Sequence, residues 1–285
     1  MLVSISLKKN HYQVNLSQGK SIAIALDFNH QQPNHFDASK ALKRPMSVSG
    51  FIGDTKQGGS CNVNELAFNP HCNGTHTETI GHICHQDDTN TTTINQLKLS
   101  SLLPCTLISI EPEKALKQTE NYVLPFDDVD CVITKKQLTL LLSTVENEQL
   151  EALVIRTLPN RSDKCHKTYN QHDPNSFFTT QAMQYLVERG IQHLIVDLPS
   201  IDRLNDQGLL NNHRLFWSIN QNAKTANEST RTQSTITELA YINNELTDGF
   251  YFLNLQLPAF VNDAAPSQPI LFDAKPVATN AFLKE

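Results

Sequence analysis

The segment HLIVDL, residues 193–198, indicates the fold class of this protein. Its apolar residues are nearly continuous, which is typical of a strand that is buried on both faces. Other short apolar segments share this character and also predict strands: 21–26, 105–110, 153–157 and 250–257. Strands buried on both faces belong to a sheet that is covered by other elements, so the sequence predicts a central sheet with flanking helices.

Helical patterns lie between these strands. Thr134 and Gln137 form a capping-box pattern ahead of an apolar series and predict a helix. A second helix is predicted to begin near Asn175 or Ser176 and to end before Gly190. A third is predicted over residues 236–246. Strands and helices alternate through the middle of the chain, which indicates the α/β class.

The remaining segments differ in composition. The first 70 residues contain strand-like pieces, prolines and glycines with little helical pattern, so we expect β structure and long loops there. Residues 218–234 are almost free of large apolar side chains and are predicted to form a surface loop or a mobile flap. No clear boundary divides the chain, and we expect one domain over residues 1–285.

Composition restricts the classes of function. The 285 residues carry a net charge of −6 without a basic run, so nucleic acid is not an expected partner. We expect no signal peptide from the pattern of the first residues, and no window of 18 apolar residues occurs, so we expect no membrane association. The six cysteines lack CxxC spacing and are too few for a disulfide scaffold in a chain of this length. We therefore expect a cytoplasmic protein with reduced thiols.

The segment NPHCNGTHTETIGHICH, residues 69–85, contains the candidate site. His71, His76, His82 and His85 fall within 15 residues, although 11 histidines in 285 residues predict only about 0.6 in such a window. No lysine or arginine occurs from residue 60 to residue 93, which favours a cation. The alternative is a solvated histidine-rich loop, and the residues alone leave both interpretations open.

Local geometry favours a metal site. Asn73 and Gly74 form a turn dipeptide that would fold His71 back toward His76. In an extended segment the side chains of His76 and Glu78 point to the same face. Two imidazoles and one carboxylate suit zinc or manganese with a position left open for water. His82 would be a further ligand or a general acid/base beside the metal.

The segment HCNGTHTETIGH resembles the signature of the putative cyclase family of metal-dependent hydrolases, which includes bacterial kynurenine formamidases. The usual formamidase signature is H-x-G-T-H-x-D-A-P-x-H. Here Cys72 occupies the position of the first His, and Glu78 replaces the Asp. The form H-x-N-G-T-H-T-E is similar to a subgroup of the family, so the resemblance favours His71 over Cys72 as a ligand.

The resemblance continues downstream. ERGIQHLIVDLPSID, residues 188–202, is similar to the family segment G-x-D-x-x-S-x-D at Asp197, Ser200 and Asp202. NNHRLFW resembles the family's second histidine region and implies His213 as a ligand, and STITELAYI implies Glu238. From the residues alone, Asp197, Ser200 and Asp202 would be turn residues. His213 would then be a surface residue, and Glu238 would be a solvated carboxylate at a helix start.

The resemblance implies a swivelling β/β/α fold and a hydrolase that holds one or two zinc or manganese ions. The implied metal ligands are His71, His76, Glu78, His213 and Glu238, and His82 is the implied catalytic residue. The implied substrate is an amide, with formyl-kynurenine as the best-known case, and the implied assembly is a homo-oligomer, a dimer or a tetramer. Two alternatives stay open: an enzyme acting on a cyclic imide, lactone or other ring, and a metal-binding homologue without catalysis.

Overall fold

The computed structural model describes residues 1–85 and 87–278. Nineteen strands occur in this part of the chain. In chain order they are β1 (Leu2–Leu7), β2 (Asn10–Asn15), β3 (Lys20–Ser21), β4 (Leu42–Pro45), β5 (Ser47–Val48), β6 (Phe51–Ile52), β7 (Asn64–Ala67), β8 (His76–Glu78), β9 (Leu103–Ile110), β10 (Glu113–Lys114), β11 (Cys131–Ile133), β12 (Ala152–Thr157), β13 (Phe177–Phe178), β14 (His193–Val196), β15 (Thr235–Glu238), β16 (Gly249–Gln256), β17 (Ala264–Pro266), β18 (Gln268–Asp273) and β19 (Lys275–Val277).

Four α-helices occur in the same part of the chain: α1 (Pro70–Asn73), α2 (Lys135–Leu141), α3 (Thr180–Glu188) and α4 (Asn211–Trp217). Short 3-10 helices cover Thr55–Gln57, Ile80–His82, Ile94–Gln96, Ala115–Lys117, Asn147–Gln149 and Ser162–His166. No helix among the described residues has the length and apolar character needed to cross a membrane.

A mixed sheet of nine strands organises the fold, in the order β17-β8-β15-β14-β12-β9-β16-β18-β3. β12 pairs in parallel with both β9 and β14, and β14 pairs in parallel with β15. The strands on either side of this parallel centre, β8 and β16, run antiparallel to it. The prediction of an α/β fold on a mixed sheet with flanking helices is confirmed.

Both faces of the sheet centre are buried, as the apolar sequence predicts. Along β12, Leu153 and Ile155 belong to one apolar cluster, whereas Ala152 and Val154 belong to another on the opposite face. Among the described residues, the buried apolar side chains of α2, α3 and α4 all lie in the first cluster. The second face is covered instead by irregular segments that carry residues such as Ile242.

Several predicted elements are confirmed with shifted ends. The strands predicted at 105–110, 153–157, 193–198 and 250–257 correspond to β9, β12, β14 and β16. The capping box of Thr134 and Gln137 is present at the start of α2. The second helix, α3, begins only at Thr180, because Thr179 accepts a hydrogen bond from the backbone N–H of Ala182 and caps it. Gly190 follows α3 with a φ of 78°.

Two predicted elements are wrong. The helix predicted over 236–246 is strand β15, followed by an irregular segment that starts with Leu239 at a φ of 53°. The run Thr235, Ile236 and Thr237 is β-branched and pairs with β14 on one side and β8 on the other, which outweighs helix propensity. The strand predicted at 21–26 is reduced to β3, with one isolated bridge at Ala23.

The N-terminal segment and residues 218–234 contain little or no helix. The first 70 residues form seven short strands separated by loops. Residues 218–234 contain neither helix nor strand, and hydrogen bonds anchor them to the body of the protein. The backbone N–H of Ala226 donates to the carboxylate of Asp88 (2.9 Å), and the indole N–H of Trp217 donates to the carbonyl of Ser234 (2.9 Å).

Replacing a leucine in the sheet centre will destabilise the protein far more than replacing one on a helix surface. Leu194 in β14 is fully buried, so Leu194→Ala should lower the free energy of unfolding by about 2–5 kcal/mol. Leu140 in α2 is 75% exposed, and Leu140→Ala should change it by no more than about 0.5 kcal/mol. Urea unfolding of both variants measures the difference, and equal losses would contradict this packing.

Candidate metal centre

The short helix α1 positions His71. The side chain of Asn69 accepts a hydrogen bond from the backbone N–H of His71 (3.0 Å) and caps the helix, whose first residue is Pro70. Gly74 then continues in an extended conformation, with a φ of 179°. The predicted turn at Asn73 and Gly74 is therefore wrong, because a helical turn rather than a left-handed dipeptide brings His71 to the site.

Strand β8 positions His76 and Glu78 on one face, as predicted from their spacing. Antiparallel pairing with β15 sets His76 opposite Glu238. The Nε2 atom of His76 lies 3.5 Å from Oε2 of Glu238. The other oxygen of Glu238, Oε1, accepts a hydrogen bond from the backbone N–H of Ile201 (2.8 Å). Glu238 thus lies at a strand end within the site, and its predicted place at a helix start is wrong.

Helix α4 supplies His213, which is buried rather than a surface residue. Its Nδ1 lies 2.6 Å from Oδ2 of Asp202. The second oxygen of Asp202 accepts hydrogen bonds from the Tyr122 hydroxyl (2.7 Å) and the Asn212 backbone N–H (2.8 Å). The carboxylate therefore fixes the ring so that Nε2 points toward Glu78, at 3.0 Å from Oε1.

Glu78 is the centre of the group. Its Oε2 lies 3.1 Å from Nδ1 of His71 and 3.9 Å from Nε2 of His82, while its Oε1 faces His213. Three sets of potential ligand atoms lie within 4.8 Å of one another, and they are His71-His76-Glu78, His71-His82-Asp263 and Glu78-His82-His213. The candidate ligands from the sequence therefore meet in one place, with Glu238 at the edge of the group.

Several buried atoms of this group fit a cation. Neither oxygen of Glu78 has a hydrogen-bond partner of suitable alignment within residues 1–85 and 87–278, and the same holds for Nε2 of His76. The Nδ1–H of His76 donates to the carbonyl of Gly74 (3.0 Å), so Nε2 is the ring nitrogen that faces the site. Buried polar atoms without partners are costly, and a divalent ion would satisfy all three.

The carboxylates and imidazoles of this group lie close together, and each shifts the pKa of the others. Burial lowers the pKa of His71, but the carboxylates of Asp263 and Glu78 outweigh burial and raise it to about 10. Burial also opposes the ionised form of Glu78, yet the imidazoles of His82 and His213 hold its pKa well below the usual range. In the same way, Glu78 and Asp202 raise the pKa of His213 well above its ordinary value against the effect of burial. Without a metal, His71 and His213 therefore carry protons at neutral pH.

Asp263 is a site residue that the sequence analysis missed. Its Oδ2 lies 3.0 Å from Nε2 of His71 and 3.7 Å from Nδ1 of His82. Asp263 follows no motif and lies 192 positions from His71 in the chain. Pairing of β17 with β8 brings it to the site, which no local signal in the sequence predicts.

Of the remaining candidate residues, some line the cavity and one lies elsewhere. Cys72 is buried and lines the cavity, but it belongs to none of the ligand sets found among the described residues. Burial and the nearby Glu238 raise the pKa of its thiol to about 11. Ser200 also lines the cavity, whereas Asp197 lies elsewhere, paired with Lys164 (2.7 Å) and Thr157 (2.8 Å). The cavity in front of the group has a volume of about 260 Å³.

Comparison with known proteins identifies the family. A family model described as "Putative cyclase" matches residues 12–203, and the chain belongs to this family. No curated protein matches the sequence.

Solved structures share the fold. A predicted metal-dependent hydrolase from Bacillus stearothermophilus is 15% identical, with a TM-score of 0.57 over 90% of this chain and 98% of that one. An isatin hydrolase bound to the product analogue thioisatinate is 14% identical, with a TM-score of 0.61 over 90% and 93%. Isatin hydrolase A from Ralstonia solanacearum is 11% identical, with a TM-score of 0.60 over 90% and 91%. At these identities the comparison establishes the common fold.

Replacing Asp263 with asparagine should weaken metal binding, although Glu78 and the histidines around it stay in place. In Asp263→Asn, the rings of His71 and His82 lose the anion that orients them, and metal affinity should fall about 10- to 100-fold. Competition with a chromogenic chelator measures this affinity. The control is Asp273→Asn, which removes an exposed carboxylate paired with Lys20. Equal affinities in both variants would refute the role of Asp263.

Metal affinity will rise with pH, because His71 of the metal-free protein keeps its proton up to about pH 10. A metal can bind Nδ1 only after that proton leaves, so the affinity should rise about tenfold per pH unit for each proton displaced. Calorimetry between pH 6 and 8, in buffers of different ionisation enthalpy, counts the protons released. An affinity that is independent of pH would show that no imidazolium is displaced.

Proposed function

We propose that this protein is a metal-dependent hydrolase that cleaves an amide, namely an N-formyl aryl amine such as formyl-kynurenine, with Zn²⁺ or Mn²⁺. The observation that carries the proposal is the buried Glu78 carboxylate, whose oxygens face His71 and His213 without an aligned hydrogen bond. A bound cation would explain why the carboxylate of Glu78 is buried at this point without aligned hydrogen bonds. Membership of the cyclase family supports the same interpretation.

The proposed ligand set follows from the directions of the side chains. His71, His76, Glu78, His213 and Glu238 would hold one or two ions, with Glu78 between the imidazoles. When bound, such an ion acidifies water and polarises a carbonyl oxygen. The protein holds His76 and His213 by hydrogen bonds on their outer nitrogens, so that the inner nitrogens are preorganised.

His82 is the proposed catalytic residue. Its side chain is 28% exposed, and it lines both the inner cavity and an adjoining outer cavity of about 530 Å³. Oδ2 of Asp263 lies 3.7 Å from its Nδ1, which leaves Nε2 directed toward Glu78. In this position His82 can accept a proton from the attacking water and deliver it to the leaving nitrogen.

A second candidate is the hydrolysis of a ring substrate. Opening a cyclic imide, a cyclic amide or a lactone uses the same attack of water on a carbonyl carbon. Three of the solved structures with this fold are isatin hydrolases, which favours this alternative. A homologue that binds metal without turnover is the third possibility, and the absence of hydrolysis from a metal-loaded protein would identify it.

The expected homo-oligomer stays a prediction. Exposed apolar side chains on the two-stranded sheet of β4 and β7 would supply such a contact, since Leu42 is 61% exposed and Leu66 is 53% exposed. Cytoplasmic residence likewise stays a prediction from the sequence.

Activity will depend on a metal held by Glu78 and His76. Protein purified without chelator should contain zinc or manganese by elemental analysis, and it should hydrolyse formyl-kynurenine, formanilide or isatin. Glu78→Gln and His76→Ala should each lower kcat/KM by about 1,000-fold or more, because a metal contributes several kcal/mol to transition-state stabilisation. Glu65→Gln, at an exposed surface pair with Arg44, should leave it unchanged.

Removal of the metal with a chelator should abolish hydrolysis, and addition of Zn²⁺ or Mn²⁺ should restore it. Metal-free protein with full activity, or full activity in Glu78→Gln, would refute the proposal. Product analysis separates the formyl amide from the ring substrate.

A further inference from the structure

His35 is a buried histidine at the cavity wall. The residue is 1% exposed, and neither ring nitrogen has a hydrogen-bond partner in the described part of the chain. It lines the inner cavity beside Phe36, with ring centroids 3.8 Å apart. Burial and the nearby His76 lower the pKa of its imidazole to about 4, so the ring is neutral at pH 7. A neutral imidazole offers one donor and one acceptor, and both are unused here.

The loop that carries His35 is rigidly built. The side chain of Gln32 accepts a hydrogen bond from the backbone N–H of Ala41 (2.9 Å) and donates to its carbonyl (2.9 Å). The side chain of Asn34 donates to the carbonyl of Ala38 (2.7 Å). These bonds hold the backbone around His35 in place. The described residues therefore leave its ring nitrogens without hydrogen-bond partners in a well-held loop.

The backbone next to His35 is strained. Phe36 and Asp37 both adopt left-handed conformations, with φ values of 54° and 51°, although neither is glycine. Such conformations cost about 1–3 kcal/mol each and cluster at ligand sites. Their effect here is to present Phe36, which is 60% exposed, to both the inner and the outer cavity.

The cavities contain carboxylates and no free cation among the residues that the structure describes. Asp37 and Asp206 line the outer cavity. Arg203 lines the inner cavity, but its guanidinium is bound by Asp127, Asp130 and the carbonyl of Pro125. A substrate carboxylate would therefore find no counter-charge on the protein outside the metal centre.

We propose that His35 is the substrate-recognition residue of this pocket, hydrogen-bonding the polar group of an uncharged, planar aryl or cyclic amide whose ring lies against Phe36. This inference rests on the proposed hydrolase function and narrows its substrate class. It places neutral amides ahead of N-formyl amines that carry a carboxylate, and formyl-kynurenine is one of the latter. A substrate that hydrogen-bonds the ring nitrogens of His35 removes the free-energy cost of leaving them unpaired. The site therefore discriminates against molecules that lack a hydrogen-bonding group at this position.

A matched pair of substrates tests the charge preference. Formanilide and N-formylanthranilate differ by one carboxylate on the ring, and the wild-type metal-loaded enzyme should have a kcat/KM at least about tenfold higher on formanilide. A preference for N-formylanthranilate would overturn the proposal.

Replacing His35 tests recognition. His35→Phe keeps a ring of similar shape without polar atoms, and KM should rise about 10- to 100-fold with a smaller change in kcat. Metal content should stay unchanged, and Tm should be equal or higher, because an unpaired buried polar group is removed. His35→Gln restores a donor and an acceptor and should recover part of the loss. The control His30→Phe, at an exposed histidine of the same region, should change neither constant. An unchanged KM in His35→Phe would overturn the proposal.

Binding to the metal-free protein separates this inference from the hydrolase proposal. Calorimetry with 2-indolinone, a planar cyclic amide, should show binding to the wild type and at least about tenfold weaker binding to His35→Phe. If the wild type hydrolyses nothing but this binding depends on His35, the hydrolase proposal fails and the recognition site stands. Absent binding to the wild type, or equal binding to both proteins, would overturn the recognition site.

Discussion

Burial of the Glu78 carboxylate is the constraint on which the site depends. The residue is fully buried in the sheet, and neither oxygen has a hydrogen-bond partner within residues 1–85 and 87–278. An ion in such surroundings is tolerated only next to opposite charge. In the metal-free protein, protonated His71 and His213 supply that charge. The proposed metal would replace their protons, which links metal binding to pH.

The nine-stranded sheet brings the parts of the site together. β8 carries His76 and Glu78, and its two neighbours, β15 and β17, bring Glu238 and place Asp263 next to the histidines. Outer hydrogen bonds then orient each ring: Gly74 holds His76, Asp202 holds His213, and Asp263 lies against His71. Preorganised side chains of this kind lower the cost of assembling a metal site.

Sequence patterns predicted the sheet centre well. β9, β12 and β14 are recognisable because both faces are buried, so that most residues of these strands are apolar. β15 was mistaken for a helix start, because its flanking residues fit a helical pattern and the strand is only four residues long. Its β-branched run was the signal that could have identified it.

The sequence by itself determined the α/β class and indicated His71, His76 and Glu78 as candidate ligands, because residue chemistry and short-range spacing are local properties. His213 and Glu238 became candidates only through the resemblance to the cyclase family. Only the tertiary structure decided that Asp263 joins the group and that the ring nitrogens of His35 lie unpaired at the cavity wall. These features depend on strand pairing and burial between segments far apart in the chain. Such contacts are fixed by the packing of the whole sheet, and no local pattern encodes them.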